Sequence, residues 1–337
     1  MKTLATKTRT ALAGFAALML FATPALAVGF QQLTVPDPGS QPLEVGIWYP
    51  SNSLTAPQPL ELFTQDVAED GTIEGRRLPL IVMSHGTGGG FAGHYDTALA
   101  LANAGFVVAS VTHTGDNYRD LSDQAKRDTF INRTRHVRQV LDYMLAAWPG
   151  HERIDAERVG MFGFSAGGFT TLIAIGGVPD LAKVQPFCAA HPDDWGCRLV
   201  KSRGIDLATA ALPPASAWVH DARIKAAVVV APALGYTFNG GGLAQVSVPI
   251  QLWRGAIDPI LPHPNYAQVV YDELKTKPDY RVVPNAGHFS FLAPCSEALA
   301  KVASQICPDA PGFDRAAFHQ EFDAAVVAFF EAKLPAE

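Results

Sequence analysis

The sequence predicts an α/β fold, a mostly parallel central sheet with helices on both faces and one cap-like insertion. Three observations predict it. Short continuous apolar runs recur, as at Leu80-Ile81-Val82-Met83-Ser84, of the kind a strand buried on both faces carries. Stretches with apolar residues at helical spacing lie between them, as at Val137, Val140, Leu141 and Met144. The two kinds of segment alternate along most of the chain, the pattern that builds a parallel sheet.

The first 27 residues stand apart from that pattern. Lys2, Lys7 and Arg9 precede an apolar run from 11 to 21, and Ala25-Leu26-Ala27 supplies the small-x-small pattern of a signal peptidase site. We read residues 1–27 as a signal peptide and 28–337 as one domain in an exported protein, periplasmic or secreted. The alternative is an uncleaved anchor, but a membrane span needs roughly 20 apolar residues and this run is shorter. No later stretch is apolar enough for a second span, so stable membrane insertion is not expected.

Residues 31–36 and 43–49 read as strands joined by the turn Asp37-Pro38-Gly39-Ser40. The polar, proline-containing stretch 50–77 reads as surface loop. Strands follow at 80–84, 106–111, 158–164, 225–231, 249–254 and 280–283. Helices are expected near 95–103, 128–147, 166–175, 265–275 and 316–333. Residues 178–221 break the alternation with a long insertion that carries Cys188, Trp195, Cys197 and Trp218. Long segments of this kind usually carry function, so we read it as a cap over the site rather than a surface excursion.

Composition narrows the class. Hydrophobic residues make up 48% of the chain, enough for a sizeable core, while charged residues are 17% and the formal net charge is −6. No basic run exists to neutralise phosphates, which argues against a nucleic-acid partner. The four cysteines, Cys188, Cys197, Cys295 and Cys307, are even in number, and in an exported chain that favours disulfides. Three pairings are open in principle. Short-loop closure favours Cys188–Cys197 and Cys295–Cys307. No C-x-x-C or neighbouring histidine spacing supports a metal site.

The chemistry sits at strand ends. Gly163-Phe164-Ser165-Ala166-Gly167 matches G-x-S-x-G between an expected strand and an expected helix. That turn strains the serine and lifts its hydroxyl clear of the sheet, and small neighbours allow the tight turn. A serine needs a base, and His288 stands just past the last expected strand, where loops reach the carboxyl edge of a parallel sheet. Asp258, after the strand at 249–254, supplies the carboxylate in the order Ser, Asp, His. His113, Asp116 and Asp272 are lesser candidates. His85-Gly86-Thr87-Gly88-Gly89-Gly90 follows another strand, and we assign oxyanion donors to the backbone N–H groups of Thr87 and Ala166. Gly88-x-Gly90-x-x-Gly93 also fits a dinucleotide fingerprint, but the next strand ends in Thr112-His113 where that fold wants an acidic residue. Phe91, His94, Tyr95, Trp195 and Trp218 are candidate substrate-pocket residues.

With these residues assembled, the chain resembles the α/β-hydrolase superfamily. More narrowly it is similar to predicted dienelactone hydrolases and platelet-activating-factor acetylhydrolase-like serine esterases. The likeness rests on HGTGGG at 85–90, GFSAGG at 163–168, RGAIDPI at 254–260 and NAGHF at 285–289. It implies a hydrolase without metal or cofactor, acting on a small-molecule ester or lactone through an acyl-enzyme. Two departures separate it from those families. Val230-Ala231-Pro232-Ala233 lacks the acid that the acetylhydrolases carry after that strand, and position 165 is serine where dienelactone hydrolases use cysteine. Two other outcomes remain open: a non-catalytic binding protein of the same fold, and a peptidase or amidase using the same triad. The sequence leaves the oligomeric state open.

Overall fold

A computed structural model describes residues 27–207 and 212–336. Of the leader read over 1–27, only Ala27 falls among them, and it opens β1 (Ala27–Val35). β1 pairs antiparallel with β2 (Leu43–Ser51) across the turn at 37–40. The stretch read as loop holds two strands, β3 (Ala56–Leu60) and β4 (Phe63–Glu69), paired antiparallel. The physical reason for the discrepancy is proline. Pro57 and Pro59 remove ladder donors and interrupt the apolar pattern, so such a strand fits only at an edge. β3 is the outermost strand of the sheet.

Six mutually parallel strands form the centre. They are β5 (Leu78–Ser84), β6 (Val107–Thr112), β7 (Ile154–Phe164), β8 (Ile224–Val230), β9 (Ile250–Gly255) and β10 (Asp279–Val283). The strand order is β10-β9-β8-β7-β5-β6-β2-β1-β4-β3, and β2 joins β6 antiparallel. The helices are α1 (Tyr95–Asn103), α2 (Arg127–Ala146), α3 (Ala166–Ala174), α4 (Val184–Ala190), α5 (Trp195–Ser202), α6 (Ala267–Glu273), α7 (Glu297–Val302) and α8 (Arg315–Lys333).

Side-chain alternation divides the core between the two faces of the sheet. Leu80 and Val82 of β5 pack with Val137 and Val140 of α2, Phe169 of α3 and Val270 of α6. Ile81 and Met83 turn the other way, toward Leu101 of α1 and Phe322, Val326 and Phe330 of α8. A strand with helices on both sides has no solvent face, which is why β5 is apolar at nearly every position.

Within 178–221, the chain forms a short turn at Leu181–Lys183, then α4 and α5, which the Cys188–Cys197 disulfide ties together. Residues 208–211 of this segment lie outside those described. The second disulfide, Cys295–Cys307, spans α7. No helix among the described residues is long and apolar enough to cross a membrane. Because β5 to β10 run parallel, the loops leaving β5, β7, β9 and β10 all emerge at one carboxyl edge, where such folds place their sites.

Candidate active site

The turn between β7 and α3 places Ser165 at φ 56° and ψ −115°, a region that costs a non-glycine residue of order 1–3 kcal/mol. The neighbouring backbone holds it there. Its N–H donates to the Val230 carbonyl at 2.9 Å, and its own carbonyl accepts from Ala233 at 3.0 Å. The glycines on either side have no room for a side chain. A Cβ on Gly163 would meet the Gly167 carbonyl oxygen at 2.1 Å, and one on Gly167 would meet that of Ser84 at 1.8 Å.

His288, in the loop after β10, brings Nε2 to 3.0 Å from Ser165 Oγ. Its Nδ1 lies 2.7 Å from Asp258 Oδ2. All three side chains are buried. The other oxygen of Asp258 accepts the N–H groups of Ile260 and Leu261, both at 2.8 Å. Burial pushes the Asp258 carboxyl up, but His288 and these two backbone donors outweigh it and hold the group below the usual carboxylate range. An aspartate fixed in this way stays ionised and orients the imidazole. The structure therefore joins the three residues that the sequence proposes, in one hydrogen-bonded chain.

Thr87 and Ala166 both line the cavity above Ser165. Ala166 is the first residue of α3, where an N–H has no partner within the helix. Among the described residues, neither of the two backbone N–H groups donates to a protein acceptor. They are free to meet developing negative charge.

Beneath this loop lies a buried polar layer. His113 Nε2 is 2.8 Å from Ser84 Oγ, and His113 Nδ1 is 3.1 Å from His136 Nδ1. Burial and the nearby Arg133 charge hold His85 and His113 well below their ordinary values, and His136 falls to about 3, chiefly through burial. All three are neutral at physiological pH. His113 is thus a structural ring and not the base. Asp116 faces Thr87 and Arg133 instead of an imidazole, and Asp272 sits on α6 with Gln268 at 3.0 Å. Arg133 escaped the sequence reading, although a signal was present. It falls four and seven residues before Val137 and Val140, on the apolar stripe of α2.

The cavity measures about 310 Å³. Its walls include Phe130, Val184, Trp195, Leu199, Leu261 and Tyr266, and most of its surface is apolar. Of the five aromatic and histidine candidates for the pocket, only Trp195 lines it. The other four need correction. Phe91 is buried beside Trp48, with ring centres 6.2 Å apart, and Trp218 packs in the core on the α2 and α3 face. His94 lies edge-on to Phe162 and Phe164 beneath the site, where burial draws it down to about 4 and keeps it neutral. Tyr95 packs tilted against Phe63, with ring centres 4.9 Å apart. An aromatic side chain is recruited to core and pocket by the same apolar surface.

Sheet order, strained serine and strand-end loops together define the α/β-hydrolase fold, and the chain has that fold. Residues 94–185, which include Ser165 and its turn, match the model of the prolyl oligopeptidase family. In three dimensions the chain is similar to a ferulic acid esterase from Streptomyces cinnamoneus, with a TM-score of 0.62 and 19% identity over 93% of this chain and 91% of that one. No curated protein matches it in sequence.

Proposed function

We propose that the protein is an exported serine hydrolase that cleaves carboxylic esters with an apolar acyl or alcohol group, through an acyl-enzyme. The observation that carries this reading is the unbroken relay from Asp258 through His288 to Ser165, opening into a largely apolar cavity. His288 Nε2 takes the proton as Ser165 Oγ attacks the ester carbonyl, and Asp258 stabilises the resulting imidazolium. The N–H groups of Thr87 and Ala166 receive the oxyanion. Collapse expels the alcohol, which takes its proton from His288, and water repeats the cycle to release the acid. The segment 178–221 acts as the cap that gives the cavity its apolar wall.

Ser165→Ala should abolish turnover of nitrophenyl esters and labelling by a fluorophosphonate while leaving the melting temperature within a few degrees. Undiminished turnover in that variant would remove the proposal, and a wild type that neither labels nor turns over would favour a non-catalytic binding protein. Activity across a nitrophenyl chain-length series should peak above acetate. The likeness of residues 94–185 to the prolyl oligopeptidases makes peptide anilides the second substrate class to assay. Both disulfides accord with an oxidising compartment. Under the leader reading, protein recovered outside the cytoplasm should begin at Val28 by intact mass.

A further inference from the structure

Thr87 belongs to a glycine-rich loop, and such loops do not hold an oxyanion donor in place unaided. Its hydroxyl donates to Asp116 Oδ1 at 2.5 Å, and the same oxygen accepts the Gly88 N–H at 3.2 Å. The other oxygen of Asp116 accepts from Arg133 Nη1 at 2.8 Å. Both members of the pair are buried, each at 1% exposure. Arg133 goes further. It donates to the His85 carbonyl, at the start of the same loop, and to Thr170 Oγ1 on α3 at 3.2 Å. One guanidinium therefore touches the backbone ahead of Thr87, the carboxylate that grips Thr87 and Gly88, and the helix that carries Ala166.

We infer that Asp116 and Arg133 are positioning residues that set the Thr87 donor against the Ala166 donor, and that Arg133 also neutralises a carboxylate at the edge of the oxyanion site. Asp116 reaches the cavity wall alongside Thr87 and Ser165. An unpaired carboxylate there would oppose the negative charge of the tetrahedral intermediate, in a setting of low dielectric where such repulsion is strong. Paired with Arg133, the same carboxylate serves as a clamp. The neighbouring histidines of this layer are neutral, so the charge against Asp116 within the layer is that of Arg133. Neither residue exchanges a proton with substrate. This inference rests on the proposed hydrolase reading of Ser165.

The test uses the full-length protein with Thr87→Val, Asp116→Asn, Arg133→Lys and Arg133→Met. Thr87→Val keeps the backbone N–H and the ion pair but removes the hydroxyl clamp, so its fold is the least at risk. It should lower kcat about 10-fold with KM within twofold, where outright loss of an oxyanion donor costs about 100-fold to 1,000-fold. Affinity for a boronic acid that forms a tetrahedral adduct should fall in the same proportion as kcat. Arg133→Met should lose more than Asp116→Asn, and the double variant should recover part of that loss, because removing the carboxylate removes the repulsion. Arg133→Lys should retain more activity than Arg133→Met. Melting curves run alongside. If the variants melt earlier while kcat and boronate affinity of the folded protein stay at wild-type values, the pair is merely structural and the inference fails. Fluorophosphonate labelling of the wild type separates the two levels. Labelled wild type with unaffected variants sinks only this inference, whereas unlabelled, inactive wild type sinks the hydrolase reading and this one with it.

Discussion

Asp258 needs its charge and Gly167 needs its missing side chain, and each requirement predicts a different failure. Asn at 258 keeps the size and can keep accepting from Ile260 and Leu261, but its amide turned toward His288 offers a donor where Nδ1–H needs an acceptor. The imidazole then adopts the wrong tautomer, and kcat should fall about 10³–10⁴-fold with an unchanged fold, read by single-turnover ester kinetics and circular dichroism. Gly167→Ala fails sterically instead. Its methyl would overlap the Ser84 carbonyl oxygen, a backbone atom that no rotamer change relieves. We expect a drop in melting temperature of several degrees together with loss of fluorophosphonate labelling, consistent with overpacking costs of about 1–3 kcal/mol or more. Residues of this kind are legible in sequence because motif and strand-end position name them together. Phe91, Tyr95 and Trp218 were not, since an aromatic residue carries no mark of which apolar environment it fills. The Asp116–Arg133 pair was hidden for a related reason. Charged groups 17 residues apart become one buried unit only when α2 packs on the sheet.

At the scale of elements, α1 and α8 meet through a half-buried acidic pair that makes their packing pH-dependent. His319 Nδ1 lies 2.7 Å from Asp96 Oδ2, off the ideal ring N–H direction, and Thr97 donates to Asp323 Oδ1 at 2.6 Å. Burial and the nearby Asp96 charge push Asp323 up to about 7. Burial alone would lower His319, but Asp96 and Asp323 outweigh it and raise it. Both shifts mean that the folded protein holds protons the unfolded chain has released. Stability from the His319 pair is full below the ordinary histidine value and is lost as pH rises through the raised one. Asp323 opposes folding increasingly as pH rises from about 4 to about 7. The two act in the same direction, so stability contributed here falls as pH rises from about 4 to about 7 through Asp323, and onward through the raised His319 value. Asp323→Asn keeps an acceptor for Thr97 and cannot titrate, so its melting temperature relative to wild type should climb across that range. A flat difference between the two would show that Asp323 ionises normally. The helices themselves were readable from periodicity, whereas β3 and β4 were not. Their stability comes from pairing at the edge of an existing sheet, which local sequence does not record.

At the scale of the whole molecule, the sequence pattern yields the parallel centre because burial on both faces leaves a continuous apolar signature, and it yields the site because the loops bearing it must leave one edge. What holds the remaining loops against that edge is less visible. The two disulfides support different parts of it. Cys188–Cys197 ties α4 to α5, whose Trp195 and Leu199 wall the cavity. Cys295–Cys307 lies beside a chain of contacts that runs from Arg315 to Asp309 at 2.8 Å, to Ser290 Oγ at 2.7 Å, and on to the Gly287 N–H at 3.0 Å, next to His288. Closing loops of this length contributes about 2–3 kcal/mol each in the chain-entropy account. Replacing either pair with serines should therefore lower the melting temperature by comparable amounts, but the kinetic signatures should differ. Cys188→Ser with Cys197→Ser loosens only a wall, so KM for long-chain nitrophenyl esters should rise several-fold while acetate turnover barely changes. Cys295→Ser with Cys307→Ser loosens the loop that presents His288, so under the proposed mechanism kcat should fall for every ester alike. If both pairs gave the same change across the chain-length series, the segment 178–221 would have no part in choosing substrate, and its role as a cap would have to be abandoned.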